Sequence, residues 1–142
     1  MDRRGRNRLC VWLICIGLVN FILYAAVYAF IGGDAQNGGI RDDGSWYVRG
    51  HHVHRIFGYE QDVPKWVWIY SYIHSISIWP SIALVLLAML MLARPHIVAT
   101  YQQGIVQGAT LVTVMATVII FVTSIIMFWF IVGFVRTLML AR

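Results

Sequence analysis

The chain has 142 residues, 60% of them apolar and only 12% charged, with a mean hydropathy of +0.72. Soluble domains run at about 45–50% apolar and about 25% charged, so these proportions exclude a water-soluble monomer, and they exclude an intrinsically disordered chain as well. The net charge is +5, and four of the cations (Arg3, Arg4, Arg6, Arg8) stand directly before an apolar run, which points to a membrane flank rather than a nucleic-acid surface.

The first predicted span runs from about Leu9 to Ile31 and closes at Gly32-Gly33. A basic start and Val27-Tyr28-Ala29 loosely suggest a cleaved signal peptide, but the apolar run is longer than the roughly 7–15 residues of such a segment. A retained helix is expected. Cys10 and Cys15 both fall inside it and read as small buried hydrophobes, not as a disulfide framework.

Residues 33–65 form the one substantial loop. Asp43-Gly44, between Ile40-Arg41 and Trp46-Tyr47-Val48, is the expected turn of a short β-hairpin, and Asn37-Gly38-Gly39 marks another turn. A segment below about 40 residues rarely sustains its own core, so this one must lean on the membrane, the helix ends or a partner.

The second span covers about Trp66 to Ala93 and ends at Arg94-Pro95. Asp62 is its expected N-cap, with Pro64 in the first turn. Trp66, Trp68, Tyr70 and Tyr72 crowd its start as an interfacial aromatic belt would, and Pro80 should kink it. The third span runs from about Ile105 to Val135. These elements predict an all-α, single-domain integral membrane protein of three transmembrane helices.

Orientation follows from the basic flank. An inner N-terminus puts five cations inside (Arg3, Arg4, Arg6, Arg8, Arg94) and six outside (Arg41, Arg49, Arg55, Lys65, Arg136, Arg142). The raw count does not decide, but dense charge beside the first helix usually dominates. The N-terminus is therefore expected in the cytoplasm and residues 33–65 outside, with the protein in the cytoplasmic (inner) membrane.

Polar residues recur inside the spans. Tyr70, His74, Ser77 and Ser81 form one stripe on the second, and Gly17, Asn20, Tyr24 and Tyr28 share a face of the first. On the third, Gln103, Thr110, Thr117 and Ser124 repeat every seven residues. Asn20, Ser77, Ser81, Thr110, Thr117 and Ser124 are the expected interhelical hydrogen-bonding set. A transport path is the rival reading, disfavoured because no Asp, Glu, Lys or Arg lies within a span.

Histidines carry the cofactor question. His74 could ligate haem iron or a metal, or relay a proton. His96 lies 22 residues further on, about 33 Å along a straight helix, so one copy cannot offer bis-histidine ligation. A neutral His74 bonded to Tyr24, Tyr28 or Ser77 needs no cofactor. In the loop, His51, His52 and His54 stand near Glu60 and Asp62, a donor set that suits a transition metal. Their spacing is nonspecific, and solvated interfacial histidines are the plainer reading.

The segments Gly32-Gly33-Asp34-Ala35-Gln36-Asn37-Gly38, Gly44-Ser45-Trp46-Tyr47-Val48 and Tyr70-Ser71 with His74 to Ser77 resemble a pattern in small bacterial integral membrane proteins. There a Gly-Asp-Ala-x-Asn-Gly turn follows the first helix, a Gly-x-Tyr-Tyr strand comes next, and a Tyr-Ser-x-x-His run opens the second helix. The chain departs from that pattern between Gly50 and Pro64. The resemblance implies a defined loop fold packed on the start of the second helix and carries no activity with it. On that basis Asp34 and Asn37 should brace the hairpin, with Trp46 and Tyr47 near Tyr70 and His74.

The expected function is non-enzymatic: an accessory, assembly or interaction subunit of a membrane complex, in contact with lipid and with a protein partner or further copies of itself. Trp46, Tyr47, Phe57 and Tyr59, with Tyr70, are the expected recognition surface, because aromatics dominate interface hot spots. The alternative is a haem- or metal-binding redox or quinone-handling protein using His74 and the loop histidines. A pore or carrier built from oligomers is the third reading.

Overall fold

The computed structural model describes residues 2–50, 59–102 and 106–140. Three long helices carry a small antiparallel sheet inserted between the first and the second. The order is α1 (Arg3–Ile31), β1 (Asp34–Ile40), β2 (Trp46–Gly50), β3 (Tyr59–Asp62), α2 (Lys65–Thr100) and α3 (Gly108–Leu140). All three helices are long and apolar enough to cross a membrane. Both α1 and α3 pack along α2 rather than on each other, so α2 is the middle of a layer.

The helices outrun the apolar runs that predict them. Asp2 caps α1 by accepting the Gly5 N–H at 2.7 Å, which draws the arginines into the helix. At its other end Gly32 takes the left-handed conformation (φ 75°) that closes a helix, and the chain turns directly into β1. Helix α2 continues through Arg94-Pro95 to Thr100 with Pro95 inside it, where a stop was expected. A proline forfeits one backbone hydrogen bond, but the carbonyls around it can keep the remaining turns.

Strands β1, β2 and β3 form a three-stranded sheet of order β1-β2-β3, one strand more than the expected hairpin. The Asp43-Gly44 turn forms as expected: Arg41 N–H reaches the Ser45 carbonyl, Asp43 accepts from Ser45, and Gly44 has φ 83°. Asn37-Gly38-Gly39 is not a turn. It lies inside β1, where the register with β2 shifts between Asp34 and Gly39. A side chain at Gly38 would collide with the Tyr47 backbone, so the glycine serves close strand approach rather than chain reversal. Asp62 is not the cap of α2. It ends β3, opposite Tyr47, and Pro64 occupies the cap position without a side-chain bond.

The core sits where sheet and helices meet. Ala35, Val48, Trp68 and Tyr72 are buried together, with Ile31, Trp46, Phe134 and Leu138 packed around them. The Trp68 ring lies 4.8 Å from Trp46, 5.0 Å from Tyr72 and 6.0 Å from Phe134. One tryptophan thus joins β2, α2 and α3.

Candidate functional site

Asp34 is the chemical centre of this junction. It opens β1 directly after α1, and that short connection carries its carboxylate back between the helices, where it is 5% exposed. The Tyr24 hydroxyl of α1 donates to its Oδ2 at 2.5 Å. On the other oxygen, Oδ1, the Gln36 N–H donates at 2.9 Å, and Ser75 Oγ of α2 lies at 2.8 Å. Ser75 also reaches the Ser71 carbonyl at 2.9 Å, so its one proton is shared between two acceptors. Next in the strand, the Ala35 N–H donates to Ser71 Oγ at 3.2 Å. Among the described residues the ion pairs are Arg41–Glu60, Arg41–Asp62 and Arg49–Glu60, and none includes Asp34. The carboxylate is therefore held by neutral donors alone.

A cavity of about 430 Å³ opens beside it, walled by Phe21, Ala25, Ile78 and Phe130, with Tyr24, Gln36 and Asn37 at the Asp34 end. Asp34 braces the strand as expected. Asn37 lines the cavity instead.

Deeper in the bundle Asn20 meets α2. Its amide donates to Ser81 Oγ at 2.8 Å and reaches Ser77 Oγ at 3.3 Å. Each serine hydroxyl in turn donates to its own helix, Ser77 to the His74 carbonyl and Ser81 to the Ser77 carbonyl. Donor and acceptor capacities are thus used together. The third expected stripe is displaced. Thr110, Thr117 and Ser124 are exposed on α3, and Thr123 is the buried one, bonded back to the Ile119 carbonyl. A seven-residue repeat leaves the facing direction of a straight helix open when its other sides are equally apolar.

His74 is half-buried, with its ring edge-on to Tyr24 at 5.5 Å and to Tyr70 at 5.7 Å. Its Nδ1 is buried and has no hydrogen-bond partner. Of the partners expected for the ring, Tyr24 gives it an aromatic edge but sends its hydroxyl to Asp34. The loop histidines His51, His52 and His54, and Phe57, lie outside the described residues. Tyr59 begins β3.

Trp46 and Tyr47 do not meet Tyr70 and His74. Trp46 packs on Trp68 and under Lys65, 5.4 Å from the ammonium. Tyr47 lies beneath Arg41 at 5.0 Å and Arg49 at 5.9 Å, while Tyr70 is 51% exposed. Alternation along β2 puts neighbouring side chains on opposite faces, so Trp46 and Tyr47 cannot share one neighbour. Arg41 and Arg49 both hold Glu60, which pushes both guanidinium pKa values up and draws the Glu60 carboxyl below its ordinary range. Hydrogen bonds from Ser45 lower Asp43 in the same way.

Sequence reasoning missed Ser71 and Ser75. Their signal was present as Trp68, Ser71, Tyr72 and Ser75, a row beside the Ser77–Ser81 stripe at helical spacing. Compared with protein-family models, with curated proteins and with solved structures, the chain matches none of them.

Proposed function

We propose that the chain is a multi-pass protein of the cytoplasmic membrane that works without catalysis, as an interaction or assembly subunit of a membrane complex. One observation carries this reading: the apolar surface left uncovered. Along the 33 residues of α3 only Gly108 and Thr123 are buried, along α1 only Cys10 and Gly17, and the apolar stretch of α2 is 17% buried. Such helices need lipid or other helices around them. The arginines of the first turns of α1 favour a cytoplasmic N-terminus, with the sheet outside.

The sheet end supports the interaction role. Tyr47 on β2 with its two arginines, and the exposed Trp66 and Tyr70 at the start of α2, place aromatic and guanidinium groups at the sheet end. Those residue types anchor protein interfaces. A photo-crosslinking side chain placed at Tyr47, Tyr70 or, as a control, Val19 tests the assignment in native membranes. The expected result is one foreign subunit captured from Tyr47 and Tyr70 at similar yield. Capture only of further copies of the chain would favour the oligomeric pore instead.

A second reading has its own support in the buried, unpartnered Nδ1 of His74 between two tyrosines. On that reading His74 is a ligand to haem or a transition metal, and a second ligand comes from the loop histidines, another copy or a partner. Native mass spectrometry and an absorbance spectrum of protein from its own membrane decide it: a bound mass lost in His74→Ala would make this a redox protein.

A further inference from the structure

Two hollows lie in succession along the α1–α2 pair and share two wall residues. The larger, beside Asp34, and a second of about 140 Å³ between Gly17, Ser81, Val85 and Leu86 are both walled by Phe21 and Ile78. Taken end to end they trace a furrow along α2 from Ser75 to Leu86, about 16 Å long, with Phe21 and Ile78 at the junction. Phe21 is 54% exposed and Ala25 is exposed, so the furrow opens sideways, away from the bundle.

Its polarity runs one way. At the sheet end stand Asp34, Tyr24, Gln36 and Asn37. Beyond Phe21 the walls are apolar except for Ser81, whose hydroxyl is already engaged by Asn20 and the Ser77 carbonyl. The carboxylate at the polar end is buried, and no cation pairs with it among the described residues. Neutral donors lower the cost of burying that charge, and a nearby positive charge lowers it further.

We propose that this furrow binds one membrane phospholipid whose head carries a primary ammonium, of the phosphatidylethanolamine type. The ammonium sits on the Asp34 carboxylate, and one acyl chain lies past Phe21 and Ile78 towards Leu86. The ammonium supplies both the missing charge and N–H donors. A glycerol head of the same chain length supplies no cation and brings the net negative charge of its phosphate towards Asp34. A choline head keeps the charge but has no N–H to give. The proposal rests on the membrane reading above.

The test uses the intact chain, delipidated in mild detergent and titrated with phosphatidylethanolamine, phosphatidylcholine and phosphatidylglycerol of identical acyl chains. Native mass spectrometry reads the bound lipid. Retention of the ethanolamine lipid should exceed that of the glycerol lipid by roughly tenfold or more, as one charge-assisted hydrogen bond implies. Asp34→Asn should abolish that preference, and Ala25→Trp, which fills the furrow from an exposed wall, should lower retention of all three. Equal retention of the ethanolamine and glycerol lipids by the wild-type chain overturns the proposal, as does an unchanged preference in Asp34→Asn. Should Asp34→Asn not fold, the wild-type comparison and Ala25→Trp decide alone. Failure of the membrane reading appears separately, as release of the protein from membranes by alkaline carbonate. A protein that stays in the membrane and shows no headgroup preference has lost only the lipid site.

Discussion

The two ends of the bundle are joined by different means. At the sheet end the contacts are aromatic and polar: Trp68, Tyr72 and Phe134 interleave while Asp34, Ser71 and Ser75 exchange hydrogen bonds. Towards the other end Cys10, Gly17, Ala88, Leu90 and Gly108 are buried, all small or aliphatic, and the buried Thr123 hydroxyl bonds back to its own helix. A side chain at Gly17 would collide with Val85, and one at Gly108 would strike the α2 backbone at Ile97 and Val98, so at both positions the helices touch at close range. Small residues bring backbones together by shape, whereas polar groups fix one register, because an alternative leaves them unpaired. Direction and register are therefore set at the sheet end, and proximity at the other.

Trp68→Ala strikes that division hardest. It removes the ring that joins sheet, α2 and α3, at about 3–5 kcal/mol. Hydrogen exchange should then lose protection over residues 34–50 while the helices keep theirs; a simultaneous loss in α1 and α3 would show the two ends to be one cooperative unit. Gly17→Leu is the matched change elsewhere in the bundle. It should cost about 1–3 kcal/mol by overpacking against Val85, lowering the melting temperature in detergent with sheet protection kept. Asn20→Leu lies between the two zones and should cost about 0.6–2 kcal/mol, read as a smaller melting shift, with Ser77 and Ser81 keeping their backbone bonds.

The smallest effect is electrostatic. The Glu60 carboxyl titrates below its unfolded value because Arg49 and Arg41 hold its charged form. Its contribution is present above the unfolded pKa and is lost as the pH falls through the lower folded one. Protection of β2 and β3, measured against the intrinsic exchange rate at each pH, should therefore fall in acid, below about pH 4, and Glu60→Gln should flatten that dependence. Both carboxylates of this cluster are well exposed, so moderate salt should shrink the effect.

Much of this arrangement was legible in the residues, for reasons that differ by element. Apolar length alone places the three helices, and Asp43-Gly44 places the hairpin turn, because each depends on local chemistry. The α1–α2 contact was legible because Asn20, Ser77 and Ser81 are the scarce polar groups of their segments. The third strand was not. Tyr59-Glu60-Gln61-Asp62 has neither alternating apolar residues nor β-branched ones, and its pairing is secured by β2 and by Arg41 and Arg49. Helix α3 hid its facing direction for the opposite reason, since its sides are all apolar and one is selected by fit: Phe130 and Phe134 against Trp79 and Trp68, and Gly108 against the α2 backbone. The site around Asp34 was only partly visible: the resemblance named the acid as a hairpin brace, but its partners Tyr24 and Ser75 are ten residues before it and forty-one after.

That separation orders the birth of the fold. The strands are synthesised before α2 and α3, yet their core needs Trp68 and Tyr72 from one and Phe134 and Leu138 from the other. The sheet core can thus close fully only once α3 has been made through Leu138, and a chain cut before Phe134 loses the part of the cover that α3 supplies. A partner that recognises the docked sheet would engage chains with α3 in place and pass over those without it.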